Sequence, residues 1–126
     1  MQLLLLATLG GALGAGARHL VNVACAHWLS PSFPWATFIV NVVGSFLMGA
    51  VIASLAPYFG GSPAVRTFLA TGILGGFTTF SAFSLDAIEL MERGQLTGLA
   101  FYVLGSVVLS ILALLAGVGV IRVSLR

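Results

Sequence analysis

The residues that could bind ions are concentrated in the third of four apolar segments. There, Gly75-Gly76 is followed by Thr78-Thr79 and Ser81, a run that disfavours a regular helix inside a membrane. A break in a membrane helix is tolerated where the freed backbone lines a cavity or binds an ion, and its carbonyl groups could hold a cation such as Na⁺. Phe80 and Phe83 share one helix face after the predicted break, and their positive ring edges could solvate a small anion.

Further polar side chains lie in the other apolar segments. Asn41, in the second segment, carries two donors and one carbonyl acceptor, and a hydrogen bond between helices is its simplest role. Tyr102, Ser106 and Ser110 are spaced four residues apart and form a hydroxyl stripe along one helix face. Each serine alone could bond back to its own helix, whereas a stripe of three favours a polar track. Arg18, deep in the first segment, suits anchoring of a bent helix as well as contact with an anion.

The sequence offers little for catalysis or for a metal site built from side chains. Cys25 is the only cysteine, and its apolar surroundings favour a buried small hydrophobe. The two histidines lie in the first segment, away from Ser81 and Asp86, and have no local signature of a catalytic triad. There is also no nucleotide-binding loop. We therefore do not expect an enzyme.

Four long apolar segments must position these side chains, and they predict an all-α membrane protein. The 126 residues are 60% hydrophobic and 6% charged, whereas about 25% of the residues of a soluble domain are charged. Each segment reaches the roughly 20 residues that a helix needs to cross a bilayer. The expected helices span residues 3–29, 35–56, 65–91 and 96–123 in a single transmembrane domain, with the third helix broken near its middle.

Small residues at four-residue spacing predict close packing of these helices. The pairs are Gly10/Gly14, Ser45/Gly49, Gly72/Gly76 and Gly94/Gly98. Because four helices of this size barely enclose a pathway, we also expect close packing between subunits.

The charges are few and weakly biased between the two sides of the membrane. Five arginines and three acids give a net charge of +2, with no basic cluster that would bind nucleic acid. Arg66, Arg122 and Arg126 would lie on one side; Arg93 would lie on the other, together with Arg18 if it extends that way. This is a weak bias under the positive-inside rule, so we expect insertion in both orientations.

Three motifs together resemble the CrcB/Fluc fluoride channel family. They are residues 11–18 (GALGAGAR), 41–49 (NVVGSFLMG) and 75–83 (GGFTTFSAF), in this order along the chain. The third motif is the most specific, and the resemblance extends over essentially the whole chain, including its length and its four apolar segments.

The resemblance implies an antiparallel, dual-topology homodimer in the bacterial inner membrane, which is the plasma membrane. It would contain two pores that export fluoride passively and relieve fluoride toxicity. Backbone carbonyl groups of Gly75 and Thr78, from both subunits, would hold a structural Na⁺ at the dimer centre.

The resemblance also implies roles for individual pore residues. Asn41 would line the pore, and Phe80 and Phe83 would provide the ring edges. The family's polar track would comprise Tyr102, Ser106 and Ser110, with Ser81 near its start.

Two positions depart from the family pattern. Ala82 stands where the family usually has a hydroxyl residue, commonly threonine, so one hydroxyl of the implied track is missing. Asp86 stands where glutamate is common, which shortens the acid but keeps its charge.

Two other functions are weighed against a channel. A small proton-coupled exporter of lipophilic cations would also have four helices and dual topology, but that chemistry needs a carboxylate within the membrane. The first segment has no acid, and all three acids lie towards the end of the third segment. A structural or assembly subunit would explain the glycines but not the clustered asparagine, phenylalanine pair and hydroxyl stripe.

Overall fold

The structure, a computed structural model, describes residues 1–126, and all of its regular elements are helices. We number them α1 (Gln2–Trp28), α2 (Trp35–Phe59), α3 (63–77), α4 (Phe80–Glu92) and α5 (Leu96–Ser124). Because α3 and α4 are the halves of one span, the chain has four helices long and apolar enough to cross a membrane. An all-helical chain with four such helices and a broken third one is therefore confirmed.

The end of α2 differs from the expected boundary. The sequence predicts that the helix stops at Ala56, before Pro57, but the helix continues to Phe59. The proline ring fits helical dihedral angles and removes only one backbone donor, close to the end of the helix. The chain then turns at Gly60, whose φ of 58° is readily adopted by glycine.

The first half of the third span contains an irregular segment that sequence patterns do not indicate. Residues Thr67–Leu74 form a π-helix, between short α-helical turns at Pro63–Arg66 and Gly75–Phe77. A π-helix has one more residue per hydrogen-bonded turn than an α-helix, so it changes which residues face a neighbouring helix. This segment packs along α1, together with the turn Gly75–Phe77 that follows it.

Glycine pairs bring helix backbones into direct contact at two interfaces, between α1 and α3 and between α2 and α5. A Cβ atom added to Gly14 would overlap the carbonyl oxygen of Ile73 and lie 2.8 Å from the Phe77 nitrogen. A Cβ atom added to Gly49 would overlap the carbonyl oxygen of Leu114. Only glycine permits such an approach, so packing by small residues is confirmed at these helices.

The pair Gly94/Gly98 does not pack helices, so that prediction is wrong. Gly94 lies in the turn between α4 and α5 with a φ of 72°, and a Cβ atom there would meet nothing within 4 Å. The physical reason is that α5 begins only at Leu96, so Gly94 serves the turn rather than a helix face.

Most apolar side chains point away from the bundle. Only 14 of 126 residues are buried, and large side chains such as Leu13 and Leu104 are 60% and 65% exposed. Hydrocarbon solvates such side chains as well as a protein interior does, so the surface is suited to a bilayer. The antiparallel homodimer stays a prediction.

Candidate functional site

The third span is interrupted by two extended residues. Thr78 has φ −84° and ψ 158°, and Thr79 has φ −154° and ψ 125°, so neither continues a helix. The hydroxyl of Thr79 accepts a hydrogen bond of 3.2 Å from the amide of Ala82, which caps the N-terminus of α4. The hydroxyl of Thr78 donates to the carbonyl of Leu74 at 2.9 Å, which closes the C-terminus of α3.

Asn41 of α2 bonds to both backbone groups of Thr79. Its Oδ1 accepts from the Thr79 amide at 2.8 Å, and its Nδ2 donates to the Thr79 carbonyl at 3.0 Å. The break would otherwise leave these groups without partners inside a membrane, where each unpaired group is costly. An asparagine amide has two N–H donors, so one remains free after this pair of bonds.

These bonds divert two donors from the carbonyl groups at the end of α3. In a continuous helix the Thr79 amide would bond to Gly75 and the Ala82 amide to Thr78. Instead, these amides bond to the side chains of Asn41 and Thr79. No backbone bond from residue 79 or 82 reaches the carbonyl groups of Gly75 and Thr78. Freed oxygens of this kind are the ligands that a hard cation such as Na⁺ would use.

A groove of about 410 Å³ runs beside the break, between α2, α4 and α5, and is open on one side. Gly44 lets the break come close to α2, because a Cβ atom there would overlap the methyl group of Thr78. No lining side chain carries a charge. The lining residues are Asn41, Gly44, Ser45, Met48, Thr78, Thr79, Phe80, Phe83, Ser106, Val107, Ser110, Ile111 and Leu114.

Phe80 and Phe83 both line this groove, one turn apart at the start of α4. Their ring centroids are 5.5 Å apart and the ring planes are inclined by 42°. The ring of Phe83 also contacts Tyr102, with centroids 5.2 Å apart, which fixes it against α5. Phe80 is 79% exposed, so most of its ring is free to contact an ion or a second subunit.

Two members of the predicted hydroxyl stripe, Ser106 and Ser110, lie on the α5 wall of the groove. Ser106 is 5% exposed, and its Oγ has no hydrogen-bond partner in the protein. Buried polar atoms are nearly always paired, and each exception calls for an explanation. A ligand in the groove would supply the missing partner.

The other two predicted hydroxyls lie outside the groove lining. Tyr102 is fully buried, and its hydroxyl donates to Asp86 Oδ2 at 2.8 Å. Ser81 is exposed, with its Oγ 3.2 Å from Thr79 Oγ1. The structure therefore brings only part of the predicted set together in one cavity: Asn41, Phe80, Phe83, Ser106 and Ser110.

Arg18 lies half-buried on α1, one turn after the close contact of Gly14 with the third span. It does not line the groove and forms no ion pair. The one ion pair of the structure joins Arg93 to Glu89 at 3.5 Å, near the end of α4.

Sequence reasoning missed two contributors to the site. Thr79 supplies a helix cap, a backbone bond to Asn41 and part of the lining; its signal was a threonine immediately before a helix start. Ser45 is predicted only to pack helices, as the partner of Gly49, although it lines the groove. No pattern in the second segment distinguishes this role from helix packing.

Comparison with known proteins identifies the family of the chain. A family model described as "CrcB-like protein, Camphor Resistance (CrcB)" matches residues 5–118. A "Fluoride-specific ion channel FluC" of Nitrobacter winogradskyi is 50% identical over 114 residues, covering 90% of each chain. The protein of the same name from Chelativorans sp. is 52% identical over 122 residues, covering 97% of this chain and 98% of the relative. A third, from Rhodopseudomonas palustris, is 53% identical over 118 residues, with 94% and 95% covered.

The match extends over nearly the whole chain, and its range contains the positions of the break, Asn41 and both phenylalanines. Together with four helices that can cross a membrane, it makes the chain a multi-pass protein of the plasma membrane. The chain belongs to the CrcB family.

Proposed function

We propose that this protein is a fluoride-specific ion channel that exports fluoride passively and so relieves fluoride toxicity. The proposal is supported by relatives about half identical to the chain that bear this name. The observation that carries it is the buried Ser106 Oγ, which faces an uncharged groove without any protein partner. A hydroxyl in this position can donate its hydrogen to an anion.

The donors of the groove explain how a small anion would be selected. They are the free N–H of Asn41, the hydroxyls of Ser106 and Ser110, and the edges of the two phenylalanine rings. Fixed ligands that replace water around an ion select it by number and geometry, as in other channel filters. A set without arginine or lysine also lets the ion leave, because a buried opposite charge would bind it too tightly.

An antiparallel homodimer with two such pores is part of the proposal. The groove is open along one side and Phe80 is largely exposed, so the site of one subunit is incomplete. The two ends of the bundle also differ in charge. One end carries Arg66, Arg122 and Arg126, whereas Arg93 and all three acids lie towards the other. In an inverted pair, the arginine end of one subunit would lie at the same membrane surface as the acidic end of its partner.

A Na⁺ ion at the centre of this dimer fits the freed carbonyl groups of Gly75 and Thr78. Two oxygens from each subunit would provide ligands of the kind a hard cation prefers. Its contribution would be structural, because a shared cation would join the two breaks. The residues of this chain that prepare the site are Asn41 and Thr79, which bond the competing amides.

The exporter of lipophilic cations is not favoured by the groove. That function needs a carboxylate in the path, and no acid lines the groove. Asp86 accepts a bond from Tyr102, and Glu89 pairs with Arg93. An enzyme is likewise not proposed, because the groove has no nucleophile paired with a base.

Fluoride efflux from liposomes tests the function. Wild-type protein should release fluoride but not chloride, and Phe80→Ala and Phe83→Ala should each reduce the rate by at least roughly tenfold, because an ion would lose its ring-edge contacts. Phe101→Ala is the matched control, since Phe101 is 67% exposed and lies outside the groove. A wild type that releases no fluoride would reject the proposal.

A further inference from the structure

The serines of the membrane-spanning helices differ in whether their hydroxyls bond to the protein. Ser54 and Ser84 donate to the carbonyls four residues earlier, at 2.7 and 2.9 Å, as serines in helices commonly do. Three serines that line the groove make no such bond: Ser45, Ser106 and Ser110. The hydroxyls of these three serines are therefore free to bind a ligand in the groove.

Ser45 is the member of this set that lies on the opposite wall. It belongs to α2, one turn after Asn41, whereas Ser106 and Ser110 belong to α5. Its local acceptors would be the carbonyls of Asn41 and Val42, and it bonds to neither, unlike Ser54 on the same helix.

The contact between α2 and α5 places Ser45 about half a turn beyond Ser110 in depth. The two helices run in the same direction, because they are the second and fourth of four alternating spans. A Cβ atom at Gly49 would meet both the Leu114 carbonyl and the Val118 nitrogen, so Gly49 lies between these two residues in depth. One turn earlier on each helix, Ser45 therefore lies between Ser110 and Leu114. The depth difference between Ser45 and Ser110 is about 3 Å, which one ion between the two walls can span.

We propose that Ser45 is an ion-binding residue and that it donates to the same ion as Ser110 from the facing wall. This inference rests on the proposed function and adds one donor to the set formed by Asn41, Ser106 and Ser110. Ser45 and Ser110 belong to different helices, and both line the groove. Beyond them the lining is apolar, with Met48 and Leu114, so these two hydroxyls are the last polar groups that this subunit provides in that direction.

The test compares fluoride efflux of three single variants in liposomes. Ser45→Ala should slow efflux about tenfold, the effect of removing one hydrogen bond to an ion. Ser45→Cys should remain slow, because a thiol fills the same space but is a weak donor. Ser54→Ala, on the same helix but with its hydroxyl bonded to Ala50, should match the wild type.

The shared ion is tested by the double variant Ser45→Ala/Ser110→Ala. If both hydroxyls bind one ion, the two substitutions remove parts of the same site, and their effects should not be independent. The efflux rate of the double variant should then be clearly higher than the rate obtained by multiplying the two single losses. A double variant whose loss equals that product would overturn the pairing. Wild-type efflux in Ser45→Ala, or full recovery in Ser45→Cys, would overturn the binding role and leave the proposed function standing. Absence of fluoride efflux from the wild type would reject the proposed function itself.

Discussion

At the scale of single residues, the Asn41 side chain both stabilises the break in the third span and lines the groove. It pairs the amide and the carbonyl of Thr79 while lining the groove, so the break and the path depend on the same amide group. Such hydrogen bonds between membrane helices contribute about 0.6–2 kcal/mol each. A substitution that keeps a bond to Thr79 but removes the donor to the groove can therefore distinguish the structural role of Asn41 from its role in ion binding.

Asn41→Asp is such a substitution. The carboxylate can still accept from the Thr79 amide, but it cannot donate to the Thr79 carbonyl or to an ion, and a charged form would repel fluoride. We expect fluoride efflux to fall at least roughly tenfold, with a smaller loss of thermal stability in detergent than for Asn41→Leu. Asn22→Asp, at an exposed position of α1, is the control and should conduct normally. Unchanged efflux in Asn41→Asp would contradict a role for its amide donor.

At the scale of elements, the contact between α1 and α3 holds the first half of the third span in place. Gly10 and Gly14 touch the backbone of the π-helical segment and its neighbour Phe77, immediately before the break. Contact between backbones cannot relax by a change of rotamer, so an added methyl group must separate the helices.

Gly14→Ala should therefore destabilise the protein, whereas Gly16→Ala should not. The added Cβ at residue 14 would overlap the Ile73 carbonyl, at a cost of about 1–3 kcal/mol, while the Cβ at residue 16 meets nothing within 4 Å. Gly16→Ala should even be slightly stabilising, because alanine favours a helix by about 0.5–1 kcal/mol over glycine. Thermal unfolding in detergent measures both; equal midpoints for the two variants would disprove the contact.

The elements were predictable where composition alone determines them. Four apolar runs give the spans, and Gly75-Gly76 followed by Thr78-Thr79 gives the break. The π-helix was not predictable, because Thr67–Leu74 has the composition of an ordinary membrane helix. The bond of Asn41 to Thr79 joins residues 38 positions apart, and only the packing of α2 against the third span brings them together. For the same reason, the stripe of Tyr102, Ser106 and Ser110 is predictable from one helix, whereas the position of Ser45 across the groove from Ser110 is not.

At the scale of the whole molecule, the separation of charge between the two ends bears on insertion. Under the positive-inside rule, three arginines at one end against one at the other give a modest preference at most. A proposed dimer of inverted subunits needs both orientations in comparable amounts. Single orientation would exclude that dimer.

Cysteine labelling measures the orientation directly. In a Cys25→Ser background, Ser124→Cys marks the arginine end and Gln95→Cys marks the other end, and both positions are exposed. We expect a membrane-impermeant thiol reagent to label about half of each variant on intact cells, because the charge bias is weak. Labelling of one variant completely and of the other not at all would refute dual topology. Permeabilised cells, in which both should label fully, provide the control.

The groove consists of amide, hydroxyl, aromatic and aliphatic groups, and none of the side chains that line it titrates near neutral pH. If fluoride passes through it, the pathway itself has no proton-operated switch, so its permeability should stay constant while the cytoplasm or the surroundings acidify. Membrane potential and the fluoride gradient alone would then set the direction of flow. A cell carrying this protein would regulate fluoride export through the amount of protein it makes, rather than by opening or closing each molecule in response to acid.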